Sequence, residues 1–400
     1  MSVDRRILLA DCDCYFVQVA RLEDPDGAGR EPLLLVGGSP DGRGVVTSAS
    51  YEVRAYGVRS GMPMAQALRL CPKAAWTPVP RGACARKHRE IHAVLDRFVP
   101  VVEAASIDEF YLDLSGTERV YNNRALTDVA VLIRQAVLEE TRISLSIGGG
   151  TNRLIAKLAA RRAKPAGVLV VPTGEELEFM RTLSLASLPG VGPRFQQRLR
   201  AYGLTMVTDV LPHERTQLAT WFGEGVGDWL FDRIRGRDGA RVHAHGVQKS
   251  ISRDETFAHD LHDDEALSTE LLQLVVRAGR DLRATSLRAR TVTVRIRDAD
   301  FTTRQASRTV SQAIESDRII FQVASKLLAR LRKQRRARAR LLGVSLSNLT
   351  AASGPAQLAL FGSADTLESE RDRRVAHTLD RVRGRFGSRA LLPGRILRSE

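Results

Sequence analysis

Two adjacent carboxylates, Asp108 and Glu109, lie within a largely apolar stretch from Val101 to Leu114. Apolar and polar residues alternate around them, which predicts a strand, a turn and a second strand. Carboxylates at the rim of an apolar hairpin are costly unless a positive group neutralises them. A divalent ion such as Mg²⁺ would do so and keep open positions for phosphates. For an Asp-Glu pair alone, a solvated turn would be the simpler interpretation.

A third carboxylate changes that interpretation. Asp11 ends the apolar segment from Arg6 to Ala10, and Asp13 follows two residues later. Side chains alternate along a strand, so we expect Asp11 and Asp13 to share one face. An apolar strand that ends in a carboxylate, beside a hairpin that carries two more, predicts a three-carboxylate metal site. Such sites hold the two ions that drive in-line phosphoryl or nucleotidyl transfer.

Three motifs together resemble the Y family of translesion DNA polymerases, and most closely its bacterial DNA polymerase IV branch. They are D-x-D-x-Y-F at 11–16, S-Y-E-x-R-x-Y-G-V-x-x-G-M-P at 50–63, and S-I-D-E-F-Y-L-D at 106–113. Each motif alone would be weak, but their order and separation are specific. The resemblance covers roughly residues 3 to 361.

The resemblance implies an α+β multidomain fold of the right-hand polymerase type. Its parts would be a palm with an antiparallel sheet, small fingers, a helical thumb with a helix-hairpin-helix, a four-stranded α/β little-finger domain and a flexible tail. The expected boundaries are 1–16 and 77–170 for the palm, 17–76 for the fingers, 171–234 for the thumb, 235–248 for a linker, 249–349 for the little finger and 350–400 for the tail. Within the little finger, the sequence pattern places two helices but only three of the four strands.

The resemblance also implies roles for individual residues. Asp11, Asp108 and Glu109 would be the catalytic carboxylates and would hold two Mg²⁺ ions together with the Cys12 carbonyl, with Mn²⁺ as an alternative ion. The nucleotide would contact Phe16, Tyr15, Ser48, Tyr51, Arg54 and Lys164. The Phe16 ring would be a steric gate against ribose. Tyr51 and Arg54 are three residues apart on a predicted helix, where a guanidinium can pair with phosphate oxygens.

Glycines mark two further segments. Gly148 to Asn152 predicts a tight turn that opens a helix ending near Ala163. Leu188-Pro-Gly-Val-Gly192 resembles a helix-hairpin-helix turn, in which Gly190 and Gly192 let backbone N–H groups approach DNA phosphates. A plain turn between two helices remains the alternative for that segment.

Two polar features suggest further partners. Arg295 and Arg297 share one face of a predicted strand and could lie along a duplex backbone. In the tail, Gln357-Leu358-Ala359-Leu360-Phe361 resembles the peptide that binds the bacterial sliding clamp (its β subunit). Gln357, Leu358, Leu360 and Phe361 would be its anchors. A short apolar segment that packs back on the protein is the alternative.

Composition restricts the function classes. The 400 residues suggest more than one domain, and 61 Lys and Arg against 46 Asp and Glu give a net charge of +15, which fits a polyanionic partner. Four cysteines without C-x-x-C spacing indicate reduced, buried thiols. No apolar run approaches the ~20 residues of a membrane span. We expect a cytoplasmic, nucleoid-associated monomer that binds primer-template DNA and dNTPs.

Two rival functions remain open. A catalytically inactive polymerase-like adaptor for DNA and the clamp should have lost a metal carboxylate, but all three are present. A nucleotidyl cyclase built on a similar palm would need no thumb, duplex-binding sheet or clamp peptide.

Overall fold

A computed structural model describes residues 5–244, 246, 248–352, 367–387 and 390–397 of the chain. The chain divides into two compact units, Met1–Gly246 and Val247–Glu400. None of the helices described is long and apolar enough to cross a membrane. The four cysteines are free and buried, as the sequence predicted.

The first unit contains eight strands and eleven α-helices within its described residues. Its strands are β1 Ile7–Cys12, β2 Leu34–Gly37, β3 Val46–Ala49, β4 Ala75–Thr77, β5 Val101–Ala104, β6 Glu109–Asp113, β7 Leu145–Gly150 and β8 Val168–Val170. Its helices are α1 Tyr15–Glu23, α2 Tyr51–Arg54, α3 Met64–Leu70, α4 Arg81–Leu95, α5 Leu126–Thr141, α6 Arg153–Ala163, α7 Glu176–Arg181, α8 Pro193–Ala201, α9 Val207–Val210, α10 Arg215–Phe222 and α11 Glu224–Arg233.

A five-stranded sheet in the order β5-β6-β1-β7-β8 positions the candidate site. The apolar strand β1 lies at its centre, antiparallel to both β6 and β7. The sheet was predicted to be antiparallel, and this holds except at one edge, where β8 runs parallel to β7. Helix α6 provides the crossover that two parallel strands require. A smaller sheet, β3-β2-β4, lies with α2 and α3 in the segment between β1 and α4.

The sequence pattern places Gly148 at the end of a strand and at the start of a tight turn to Asn152, and the turn was wrong for Gly149 and Gly150. Gly148, Gly149 and Gly150 are buried residues of β7, and only Thr151 and Asn152 lead into α6. The glycines are needed because α6 packs directly on the strand: a Cβ at Gly148 would lie 1.9 Å from the Ala160 nitrogen. The helix itself ends at Ala163, as predicted.

The second unit is a sheet covered on one face by two long helices. Its elements are β9 Ser250–Leu261, α12 Asp264–Ala284, β10 Leu287–Asp298, β11 Thr303–Ile314, α13 Asp317–Gln334, β12 Ala339–Ala351, α14 Glu370–Phe386 and α15 Gly394–Leu397. The sheet order is β11-β10-β12-β9, with antiparallel neighbours throughout. Val292, Val294 and Ile296 of β10 pack in the core with α12 and α13. The strand that the sequence did not place is β9.

The expectation of a flexible tail is corrected for the described residues after 366. Helix α14 docks on the second unit through ion pairs, because Asp380 receives two hydrogen bonds from Arg283, at 2.6 and 3.0 Å. Glu368 accepts the backbone N–H groups of Glu315 and Ser316 at the start of α13. These carboxylates find their partners only in the folded chain.

Candidate active site

Asp11 and Glu109 are paired neighbours on the adjacent strands β1 and β6 of the central sheet. The antiparallel register of β1 and β6 pairs Asp11 directly with Glu109 at the ends of the two strands. Directly opposed residues have Cβ atoms about 4.5–5.5 Å apart, and like charges there destabilise the sheet. A cation that lies beside this pair is therefore favoured on electrostatic grounds.

Asp108 joins this edge through the turn between β5 and β6. The Cys12 N–H donates to the Asp108 carbonyl at 2.9 Å, which ties the end of β1 to the turn. The Ser106 hydroxyl accepts the N–H of Glu109 at 3.1 Å and donates to the Asp108 carboxylate at 2.5 Å. The predicted hairpin is thus confirmed, and the carboxylates of Asp11, Asp108 and Glu109 belong to one edge, which we call the carboxylate edge.

Two lysines approach the carboxylate edge from the side of α6. Lys157 donates to both Glu109 carboxylate oxygens at 2.9 Å, and Lys164 donates to Asp11 at 2.5 Å. The Lys164 ammonium also lies 3.3 Å from the Cys12 carbonyl oxygen. Burial raises the pKa of Asp11 to about 6, with Lys164 opposing the rise and Glu109 and Asp108 adding to it. Burial therefore disfavours the ionised form of Asp11 even with Lys164 in place.

The chemistry of these donors fits a hard divalent cation. Carboxylate and carbonyl oxygens are the ligands that Mg²⁺ prefers. No group of three or more His, Cys, Asp or Glu side chains forms a ready metal-binding cluster among the residues described. Ion pairs with Lys157 and Lys164 occupy Glu109 and Asp11 instead. Both lysines end in a single ammonium on a flexible chain, so they can yield their place to an ion.

The prediction that Asp13 lies on the strand beside Asp11 was wrong, since β1 ends at Cys12. Asp13 is buried and accepts hydrogen bonds from the hydroxyls of Tyr51, Ser144 and Ser146, at 2.9 to 3.0 Å. The Ala166 N–H adds a fourth at 2.9 Å. Neutral donors satisfy this carboxylate fully, so Asp13 has a structural role beside the site and does not offer a free oxygen to a ligand.

The residues expected to hold the nucleotide fall into two groups. Tyr51 and Arg54 lie together on α2, with the guanidinium carbon 5.0 Å from the centre of the Tyr51 ring, and both are half-buried. Ser48 on β3 is buried. The Tyr51 hydroxyl donates to Asp13, which links α2 to the end of β1.

Tyr15 and Phe16 begin α1, immediately after the carboxylate edge. Tyr15 is buried, and its hydroxyl donates to the Cys84 carbonyl at 2.6 Å, so its side chain serves the core. Phe16 is only half-buried. Cys14 before them adopts a left-handed conformation with φ of 43°, a strained state that clusters at functional sites.

Lys157 is the site residue that the sequence interpretation missed. A signal was available, because Lys157 and Lys164 are seven residues apart, which is about two helical turns and therefore the same face. Lys157 lies within the helix predicted to end near Ala163 and Lys164 follows its last residue, so this spacing alone could have indicated that the two lysines lie on one side.

The two glycines of the hairpin turn differ in their constraints. Gly190 has a φ of 98°, and a Cβ there would lie 2.7 Å from the Trp229 ring. Gly192 precedes α8 and has open space around it. Packing and the positive φ thus require a glycine at 190, and both glycines are exposed.

In the second unit, Arg295 is exposed and Arg297 half-buried, on the face opposite the buried Val294 and Ile296. Arg295 lies 3.5 Å from Asp254, and Arg297 donates to the Thr303 hydroxyl at 2.9 Å. The proposed clamp residues Gln357, Leu358, Leu360 and Phe361 lie outside the described residues.

Three family models match the chain. The impB/mucB/samB family matches residues 10–161, its C-terminal domain matches 248–360, and the thumb domain of DNA polymerase iota matches 186–238. DNA polymerase IV from Desulfatibacillum aliphaticivorans is 34% identical over 391 residues, covering 98% of this chain and 96% of the relative. DNA polymerase IV from Halorhodospira halophila is 37% identical over 349 residues, covering 86% and 95%.

Solved structures show the same similarity. A Y-family DNA polymerase chimera matches with a TM-score of 0.78 and 26% identity, covering 86% of this chain and 99% of the chimera. An insertion ternary complex of the Dbh DNA polymerase matches with a TM-score of 0.60 and 25% identity, with coverage of 86% and 99%.

Proposed function

This chain belongs to the Y family of DNA-directed DNA polymerases, in the bacterial DNA polymerase IV branch, and from that premise we propose that it extends primers past damaged template bases by two-metal nucleotidyl transfer. Its partners are primer-template DNA and dNTPs. The observation that carries the proposal is the carboxylate edge, where Asp11 opposes Glu109 and Asp108 is tied to Cys12.

Asp11, Asp108, Glu109 and the Cys12 carbonyl would hold two Mg²⁺ ions, or Mn²⁺ in their place. Bound there, the ions would make the primer 3′-hydroxyl a stronger nucleophile and neutralise charge on the triphosphate. For the edge to accept them, Lys157 must leave Glu109. Lys164 must likewise leave Asp11, and its ammonium is then free to pair with a phosphate oxygen.

The residues around the edge would orient the nucleotide. Arg54 offers a planar guanidinium for bidentate pairing with phosphate oxygens, and Tyr51 is held beside it by its hydrogen bond to Asp13. Phe16 follows the strand that carries Asp11, where its ring would crowd a ribose 2′-hydroxyl. Ser48 would lie near the same nucleotide.

Low fidelity and damage tolerance would follow from a small enclosure around the nascent base pair. The segment between β1 and α4 contributes only short strands and short helices, and Ala49 offers a small side chain there. DNA backbone contacts are proposed for Gly190, Gly192, Arg295 and Arg297. The segment 357–361 would bind the sliding clamp of a cytoplasmic, nucleoid-associated replication complex.

Primer extension tests the proposal directly. We expect wild-type protein to extend a primer with Mg²⁺ and dNTPs, on undamaged templates and on templates with a bulky or abasic lesion, and Asp108→Ala to lose both activities. Asp113→Asn is the control, because Asp113 ends β6, the strand that begins just after Asp108, and its carboxylate accepts the Ser115 N–H. It should extend as wild type does.

Two outcomes would overturn parts of the proposal. Extension on undamaged templates that stops at every lesion would refute damage bypass. Tight primer-template binding without any extension would indicate the catalytically inactive adaptor instead.

A further inference from the structure

The two aspartates of helix α14 and its exposed arginines lie on different sides of the helix. The carboxylates of Asp372 and Asp380 point toward the rest of the second unit, where Arg318 and Arg283 bind them. The preceding Glu368 is likewise turned inward and pairs with Arg373 at 2.8 Å. The acidic groups that could have neutralised the helix are thus largely used in its docking.

The arginines of α14 that point outward form one stripe. At 3.6 residues per turn, the four fall within an arc of about 80° on the side opposite the buried Ala376 and Arg383. All four are exposed, and we call them the arginine face; they are Arg371, Arg374, Arg381 and Arg385.

Little in the chain neutralises the arginine face. Arg374 lies 3.7 Å from Glu370, and both side chains are mostly exposed. Arg381 donates to the Thr378 hydroxyl, and Arg385 lies over the exposed Phe386 ring. Among the described residues, no carboxylate pairs with Arg371, Arg381 or Arg385. The face therefore presents unpaired positive charge to solvent.

The docking fixes that charge in place. Arg283 makes four hydrogen bonds, two to Asp380, one to Asp317 and one to the Glu315 carbonyl, and its side chain is 1% exposed. A helix anchored in this way loses little further freedom when a partner binds its outer side. The matched family domain ends at residue 360, before α14 begins.

We propose that the arginine face is a DNA-binding surface that takes the phosphate backbone of duplex DNA. From Arg371 to Arg385 the stripe spans roughly 21 Å, along which a duplex presents about 12 phosphates. Arginine is suited to this partner because its guanidinium pairs with phosphate oxygens. The proposal rests on the proposed function for DNA as its ligand, yet it concerns a contact apart from the carboxylate edge.

The test compares three triple variants in equilibrium binding to a fluorescent primer-template, without nucleotide, across a salt series. Arg371→Gln/Arg381→Gln/Arg385→Gln removes the unpaired charges. The same positions changed to Lys keep the charge. The matched control, Arg89→Gln/Arg119→Gln/Arg124→Gln, removes the same net charge from exposed arginines of the first unit.

We expect the Gln variant to bind at least about tenfold more weakly at low salt, and its plot of log affinity against log salt to flatten by about 2 to 3 units. The Lys variant and the control should bind nearly as wild type does. With saturating DNA, single-nucleotide insertion should be unchanged in all three, because none alters the carboxylate edge.

Wild-type affinity and slope in the Gln variant would overturn the proposal and indicate an acidic protein partner or a simply solvated face. An equal loss in the first-unit control would also overturn it, because net charge alone would then explain the effect. Absence of DNA binding by the wild type would instead refute the proposed function, so the two failures can be told apart.

Discussion

The carboxylate edge of the first unit and the ion pairs that dock α14 on the second unit use the same groups in different ways. Both place acids where water is scarce, and burial raises the pKa of Asp11 and of Asp317 alike, with a neighbouring cation opposing the rise. The pKa shift by itself therefore does not distinguish a candidate active site from a structural ion cluster.

The cations make the difference. Arg283 has a side chain that is 1% exposed and donates to three partners at once. Lys157 and Lys164 have side chains that are 38% and 22% exposed, and each reaches the edge as a single ammonium. A buried arginine with several bonds cannot be exchanged without unfolding, whereas a half-exposed lysine can yield to an ion. This exchangeable neutralisation by lysine is what favours the carboxylate edge as the candidate active site.

The largest effect is expected from Arg283→Met, which removes the irreplaceable cation. It would leave Asp317 and Asp380 with only the more distant Arg383, at 3.7 and 4.0 Å. Removing one partner of a buried ion pair costs about 3–5 kcal/mol. We expect that loss in the free energy of unfolding of the second unit, measured by urea denaturation. Arg280→Met, on the exposed side of the same helix, is the control and should cost much less. Equal losses in the two variants would mean that the docking ion pairs are not structural.

A smaller effect is expected from Lys157→Met, which should strengthen metal binding rather than weaken the fold. The lysine competes with the metal for Glu109, so its removal should lower the Mg²⁺ concentration for half-maximal insertion by about threefold to fivefold, equivalent to roughly 1 kcal/mol for a partly exposed pair. Arg161→Met, one turn further along α6, is the control and should leave the metal dependence unchanged. A higher Mg²⁺ requirement in Lys157→Met would show that the lysine assists the metal rather than replacing it.

The sequence predicted the family and the fold class better than it predicted contacts between distant segments. Motifs around Asp11 and Asp108 predicted the family and the α+β polymerase fold, and the comparisons confirm both. The hairpin was also predicted, because apolar alternation fixes which face of a strand is buried. The catalytic roles of these carboxylates remain predictions.

Features that depend on distant partners were not predicted. Gly149 was not placed in a strand, because the close approach of Leu8, whose Cδ2 would lie 2.6 Å from a Cβ at Gly149, leaves no signal in the neighbouring sequence. Strand β9 was missed because it pairs with β12 alone and buries few apolar residues, chiefly Ile251 and Phe257. The docking of α14 depends on Arg283, which is 97 residues from Asp380. Long-range ion pairs leave no local pattern.

The smallest effect concerns pH. Arg318 donates two hydrogen bonds to the Asp372 carboxylate, at 2.6 and 2.8 Å, and with the Ser369 hydroxyl it holds the pKa of Asp372 well below its usual range. A lowered pKa stabilises the folded state above the unfolded value of about 3.9, and that stabilisation is lost as the pH falls toward the folded pKa. The difference in unfolding free energy between wild type and Asp372→Asn should thus be greatest near neutral pH and shrink below about pH 4. Urea denaturation at several pH values would measure it, with the exposed Glu370→Gln as the control. A difference that does not vary with pH would mean that Asp372 acts through its capping hydrogen bond with Ser369, and that charge contributes little to the docking of α14.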